Sequence, residues 1–208
     1  MKFVRRLTDG RFARPAAGFL NAACYVIMCF LILCTVVSFM GRQSFSLHTG
    51  AGTFEHAIYA EERHAPHSRS LTVSMGDDIH VWANSKGGID PKIQIALSLM
   101  YAVHTLPMLL AFWFLSRVCA NISRGQIFTD ANASGLLYYG LLQFFEAIFA
   151  PPIKLLLCWL TNLTADGRID IATGTASLNM LITSVAFMVA AYIIHYGVHL
   201  QDEADHTL

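Results

Sequence analysis

Four long apolar blocks constrain this 208-residue chain more than any other feature. They run over residues 16–40, 93–118, 134–160 and 175–197. A hydrocarbon layer about 30 Å thick is crossed by about 20 helical residues, so each block is long enough to span it. Hydrophobic residues make up 55% of the chain and charged ones 13%, against about 25% charged in a soluble domain. The pattern predicts an all-α transmembrane fold: a four-helix membrane bundle forming a single domain over 1–208, with one long loop over 41–92. The formal net charge is zero, and no basic stripe interleaved with aromatics appears, so direct nucleic-acid binding is not expected.

The distribution of basic residues sets the expected orientation. Lys2, Arg5, Arg6, Arg11 and Arg14 precede the first block, and Arg117 and Arg124 flank the connection between the second and third. The positive-inside rule then puts both termini and that connection in the cytoplasm, and the 41–92 loop outside. The loop's own bases are balanced by Glu55, Glu61, Glu62, Asp77, Asp78 and Asp90. The basic start followed by a long apolar run reads as an uncleaved signal anchor. Cys24, Cys29, Cys34, Cys119 and Cys158 all lie in or beside apolar blocks. They read as small buried hydrophobes, and the loop has no disulfide framework.

Part of the loop is expected to fold. Leu71, Val73 and Met75 alternate with polar residues, Gly76-Asp77-Asp78 follows, and Ile79 and Val81 alternate around His80. That pattern predicts a short hairpin, with Trp82 as an interfacial anchor. The stretch from His48 to Ser70 is polar and reads as irregular.

Ionisable residues inside a membrane span are functional suspects. His104 and Glu146 fall near the middle of blocks two and three, about 21 and 18 Å deep at 1.5 Å per residue. Tyr139, Gln143 and Glu146 follow i, i+4, i+7 spacing and form one polar stripe. A His104–Glu146 pair has two readings: a structural contact that fixes helix register, or part of an oligomeric transporter or proton-coupled channel, with Pro107 and Pro151-Pro152 breaking helices nearby. Lys154 is expected to snorkel outward and has no role assigned.

The histidines offer weaker signals. The loop histidines His48, His56, His64, His67 and His80, with Glu61 and Glu62 close to two of them, could hold an external zinc or copper ion, but their spacing matches no closed metal site and also reads as a solvated loop. His195 and His199, at i, i+4 spacing, are weak metal candidates, and imidazoles also suit a helix C-terminus. No metal, cofactor or catalytic residue is assigned, and no nucleophile–base set or phosphate-cradling loop appears, so no enzyme activity is expected. Asn121-Ile-Ser and Asn162-Leu-Thr match glycosylation sequons, a motif short enough to arise by chance.

Two segments carry a family resemblance: Arg124-Gly-Gln-Ile-Phe-Thr-Asp-Ala-Asn132 before block three, and Gly197-Val-His-Leu-Gln-Asp-Glu-Ala-Asp-His-Thr-Leu208. Together they resemble the bacterial four-span membrane family called "domain of unknown function 2975". Its pattern has Gly-x-x-Phe-Thr-x-x-Asn before the third span and Gly-x-x-Leu-x-x-Glu-x-Asp-x-Thr at the end. The resemblance implies a bacterial inner-membrane protein with no established activity, and a small helix-turn-helix regulator as partner. Glu146 and Pro151-Pro152 depart from the family's aliphatic third span, so the resemblance assigns them no role. Arg117, Arg124, Phe128 and Thr129, with the tail residues Asp202, Glu203, Asp205 and Thr207, are expected to form a charged cytoplasmic platform for that partner. The same residues also read as membrane-end anchors and caps. The lipid bilayer, and a homo-oligomer if transport is the function, complete the expected partners.

Overall fold

The computed structural model describes residues 10–60, 71–74, 76–84, 86–172 and 178–206, without the side chains of 10–13, 201, 202 and 204–206. Four helices dominate: α1 (Gly10–Phe39), α2 (Pro91–Ser123), α3 (Asp130–Thr164) and α4 (Leu178–His206). All four are long and apolar enough to cross a membrane. Each is longer than its apolar block, and at the start of α2 a capped polar turn extends the helix. Asp90 precedes α2 and accepts the Lys92 N–H through Oδ1 at 2.9 Å, an N-cap bond that satisfies one of the helix's orphan donors.

The described residues also contain four short strands: β1 (Ser44–Thr49), β2 (Gly52–Ile58), β3 (Asp78–Trp82) and β4 (Arg168–Ala172). They form one sheet in the order β2-β1-β3-β4. β1 pairs antiparallel with β2 across a two-residue turn at Gly50-Ala51 and parallel with β3, which pairs antiparallel with β4. The hairpin predicted over 71–81 is therefore replaced by another. Asp78–Trp82 is a strand, but Val73 makes only one isolated parallel bridge, to Gln43. The loop's hairpin is β1–β2, inside the stretch read as irregular. β2 bulges opposite the Phe45–Leu47 step of β1, where Glu55 and His56 face the single residue Ser46, and His56 takes a φ of 57°, an uncommon value for a residue with a Cβ.

The chain divides into two compact units. The first comprises residues 1–30, 107–147 and 178–208; the second comprises 31–106 and 148–177. In the first, Cys24, Ala111, Leu115, Val118, Cys119, Leu136, Tyr139 and Ala191 make a buried cluster. Tyr139 meets Phe187 edge-on, with centroids 4.6 Å apart.

The second unit holds the sheet. Period-two alternation puts Phe45, Leu47, Ile79, Val81, Ile169 and Ile171 on one face. They are buried with Ile93, Ala96, Leu97 and Met100 of α2, which recur at i, i+3, i+4, i+7 and so share one helical face. Four buried polar side chains gather at the end of α1. Gln43 donates to Ser38 Oγ. Gln94 Nε2 and Ser98 Oγ both donate to the Ser38 carbonyl, at 3.0 and 3.1 Å, which satisfies a C-terminal helix carbonyl that has no partner inside the helix.

Candidate functional site

The first unit contains a polar knot built by the segment before α3. Helix α2 ends at Ser123, and Gly125 follows with a φ of 87°, the left-handed conformation that closes many helices. Its N–H bonds the Ile122 carbonyl at 2.9 Å, and the Gln126 N–H bonds the Asn121 carbonyl at 3.0 Å. The Arg14 guanidinium lies against Gly125, so close that a Cβ there would sit 2.9 Å from a guanidinium nitrogen. Thr129 is the N-cap of α3: its Oγ1 accepts the Asn132 N–H at 3.3 Å.

Asn132 is the centre. It is fully buried, and its amide donates to the Gln126 and Ile127 carbonyls at 2.7 and 2.9 Å. Its Oδ1 accepts from the Asn121 amide at 2.9 Å. These bonds consume polar groups that a connecting segment would otherwise leave unpaired. Ile127 and Phe128 are turned outward, 41% and 51% exposed.

The knot meets α4 in two places. A Cβ on Gly197 would fall 2.8 Å from Phe128 Cδ1, so only glycine lets that ring lie on the helix. His195 Nδ1 stands 3.1 Å from Asp130 Oδ1, and its ring meets His199 edge-on at 4.7 Å. The structure thus brings together Phe128 and Thr129 with the start of the tail motif.

The remaining expected platform residues distribute differently. Arg117 lies over the Trp113 ring, 4.5 Å from its centroid. Arg124 and Glu203 are exposed. The side chains of Asp202 and Asp205, and all of Thr207, lie outside the described residues, as do Glu61, Glu62, His64 and His67. Among the described residues no group of three or more His, Cys, Asp or Glu side chains is arranged to hold a metal.

The polar stripe of α3 is buried. Tyr139, Gln143 and Glu146 are 7%, 7% and 4% exposed, and the Gln143 amide donates to the Tyr139 hydroxyl at 3.2 Å. His104, in the second unit, is half-buried.

Lys154 corrects its expectation. It does not snorkel: it is 6% exposed, and its Nζ lies 2.7 Å from Asp77 Oδ2, an ion pair whose side chains are 8% and 13% exposed. Sequence reading missed this pair because its members stand 77 positions apart, and no local pattern links a turn aspartate to a helix lysine.

It also missed the polar face of the sheet. There His48, Trp82 and Arg168 stand opposite one another in register, with His80 and Asp170 in the next row. His48 stacks on Trp82 at 4.7 Å, and the Arg168 guanidinium lies 5.5 Å from the Trp82 ring centre. An open cleft of about 570 Å³ at this end is lined by His48, Thr49, Gly50, Trp82, Asn84 and Gly87. The alternation of Ile169 and Ile171 was the available signal. Both sequon asparagines have structural work: Asn121 in the knot, and Asn162, whose amide exchanges two 2.8 Å bonds with the backbone of Ile169.

Asp90 joins the ends of α2 and α3. Its Oδ2 accepts the Asp166 N–H at 2.7 Å, and Lys92 Nζ donates to the Thr164 carbonyl at 2.5 Å. The Asp166 N–H, followed by the Lys92 N–H and the Lys92 charge, holds the Asp90 carboxyl below its ordinary value.

Residues 55–208 match the family model described as "Protein of unknown function (DUF2975)". No curated protein and no solved structure matches.

Proposed function

We propose a function for this chain from the premise that it belongs to the DUF2975 family. It is a non-enzymatic, multi-pass protein of the bacterial inner membrane, with both termini cytoplasmic and the sheet outside. The surface built by 121–132 and the start of the tail motif at Gly197 receives a soluble partner, a small helix-turn-helix regulator being the kind the family resemblance implies. One observation carries this reading: a knot of buried polar bonds around Asn132 holds Ile127 and Phe128 outward, with Phe128 seated on Gly197. A connection that served only to turn the chain would need caps, which Thr129 and Gly125 already supply. The rigid presentation of two apolar side chains beside polar Arg14, Asp130 and His195 suits a protein interface, where apolar anchors sit within a polar rim.

The test is a photocrosslinking residue at position 127 in living bacteria. The expected result is recovery of a small DNA-binding protein, and its loss when Gly197→Leu displaces Phe128 while the chain still inserts in the membrane. Recovery of lipid alone would overturn the partner reading.

A second reading rests on Glu146, a carboxyl-bearing side chain 4% exposed within a candidate span, one turn from Gln143. Such residues mark ion and proton paths. On that reading an oligomer conducts through Glu146, and Glu146→Gln abolishes a proton flux in vesicles without unfolding the chain. A variant that only lowers stability makes the residue structural.

A further inference from the structure

A groove in the second unit runs between α2 and α3, next to the sheet. Helix α2 lines it with Lys92, Ile95, Ala96 and Leu99. Helix α3 lines it with Leu157, Leu160, Thr161 and Thr164. Both sets follow i, i+3, i+4, i+7 spacing, so each is one face of its helix. The floor is small and buried: it is Ala96 and Thr161. The Thr161 hydroxyl donates to the Leu157 carbonyl of its own helix at 2.8 Å, so the floor asks a ligand for no hydrogen bond. The walls are large and exposed: they are Ile95, Leu99 and Leu160. The groove holds about 330 Å³. From Lys92 to Leu99 it runs about 10 Å at 1.5 Å per residue, against the roughly 15 Å that one leaflet contributes to a hydrocarbon layer.

Charge stops at the mouth of this groove. After Lys92, the next Lys, Arg, Asp or Glu in α2 is Arg117. In α3 the nearest one before Thr164 is Lys154, which is paired inside with Asp77. The groove therefore opens to acyl chains and its mouth to headgroups. An ammonium carries three N–H groups, and Lys92 Nζ gives one to the Thr164 carbonyl. Asp90 stands beside it, with its oxygens on the Lys92 and Asp166 N–H groups, which keep it ionised. Each carboxylate oxygen has a further lone pair to offer. The mouth thus sets an exposed ammonium next to a carboxylate at the end of an apolar slot.

We propose that this groove binds a molecule of phosphatidylethanolamine: an acyl chain lies between Ile95, Leu99 and Leu160, the phosphate meets Lys92, and the ammonium donates to Asp90. Apolar surface alone does not hold a chain in a membrane, because lipid tails are as apolar as leucine. A walled slot adds dispersion contacts that a flat helix face lacks, and the headgroup adds charge-assisted hydrogen bonds. The choice of headgroup follows from sign and from donors. Phosphatidylglycerol brings a phosphate for Lys92 but no cation for Asp90, and its net negative charge meets Asp166 as well. Phosphatidylcholine has both charges but no N–H to give the carboxylate. The groove belongs to the second unit, so lipid binding here is independent of a partner at the Asn132 knot, and either can fail without the other.

The test is native mass spectrometry of the full chain released from vesicles that hold equal amounts of phosphatidylethanolamine, phosphatidylglycerol and phosphatidylcholine with identical acyl chains. A single phosphatidylethanolamine should be retained, about tenfold over either competitor, the order expected of a charge-assisted hydrogen bond. Ile95→Trp, at an exposed wall position away from the sheet core, fills the slot and should abolish retention. Lys92→Gln should weaken retention of all three lipids. Asp90→Asn should remove the preference for ethanolamine while the chain stays folded by circular dichroism. Phosphatidylethanolamine with a photoactivatable acyl chain should label residues 95–99 and 157–164. Absence of retained lipid, equal retention of the three, a preference for phosphatidylglycerol, or retention unchanged in Ile95→Trp overturns the proposal.

Discussion

The two units solve the same problem, burial of polar groups in a largely apolar chain, by opposite means. In the first, the central polar bonds are local: Asn132 reaches carbonyls five and six residues away and an amide eleven away. In the second, the polar bonds that tie its elements together are remote. Lys154 meets Asp77 across 77 positions of chain, Asp90 meets Asp166 across 76, and β3 pairs with a strand that follows only after α2 and α3. A contiguous motif can therefore specify the first unit. The second exists only once distant segments have been brought together, with the greater loop-closure entropy that this requires.

The largest effect should come from breaking the remote side of this contrast. Lys154→Met or Asp77→Asn leaves one member of a buried ion pair alone, and such losses amount to about 3–5 kcal/mol. The double variant Lys154→Met/Asp77→Leu should recover most of that, because a well-packed apolar pair replaces a buried ion pair at little loss. Unfolding in detergent–denaturant mixtures measures all three. If the double variant is no more stable than the singles, the pair contributes through something other than mutual neutralisation.

On the local side, Asn132→Ala removes three side-chain bonds and strands two carbonyls and an amide. It should destabilise by about 2–4 kcal/mol. Hydrogen exchange should show the loss at 121–135 while the sheet amides keep their protection. Loss spreading into β1, β3 and β4 would erase the distinction between units.

The smallest expected effect sharpens the comparison at Asp90. Its folded pKa is depressed, mainly by the Asp166 N–H. Its contribution is therefore present above the unfolded aspartate value of about 3.9, and is lost as pH falls through the lower folded value. Wild type should exceed Asp90→Asn in stability at neutral pH, and the two should converge below about pH 4. An unchanging gap across an acid titration would show that the carboxyl acts as a neutral cap.

Legibility followed the same division. The Thr129 cap could be anticipated, because Thr129, Asp130 and Asn132 lie within one turn of a helix start. The hairpin was misplaced because two alternating stretches compete and cannot be told apart locally. Phe45 and Leu47 alternate with polar residues as well as Leu71 and Val73 do, and the apolar face of α2 made the choice between them. Arg168–Ala172 read as a connection because five alternating residues carry too weak a signal alone. Lys154 looked like a snorkelling residue because nothing in its own helix announces Asp77.

By itself the sequence determined four helices of membrane-crossing length, since that depends only on the run of apolar residues, and it determined the capped motif before α3, since that depends on near neighbours. Tertiary structure alone decided the sheet, the buried Lys154–Asp77 pair and the groove between α2 and α3. Each of these needs strands or helices far apart in the chain to lie side by side, and hydrophobic burial against Ile93, Leu97 and Met100, which has no direction of its own, becomes specific only when the whole apolar face is assembled.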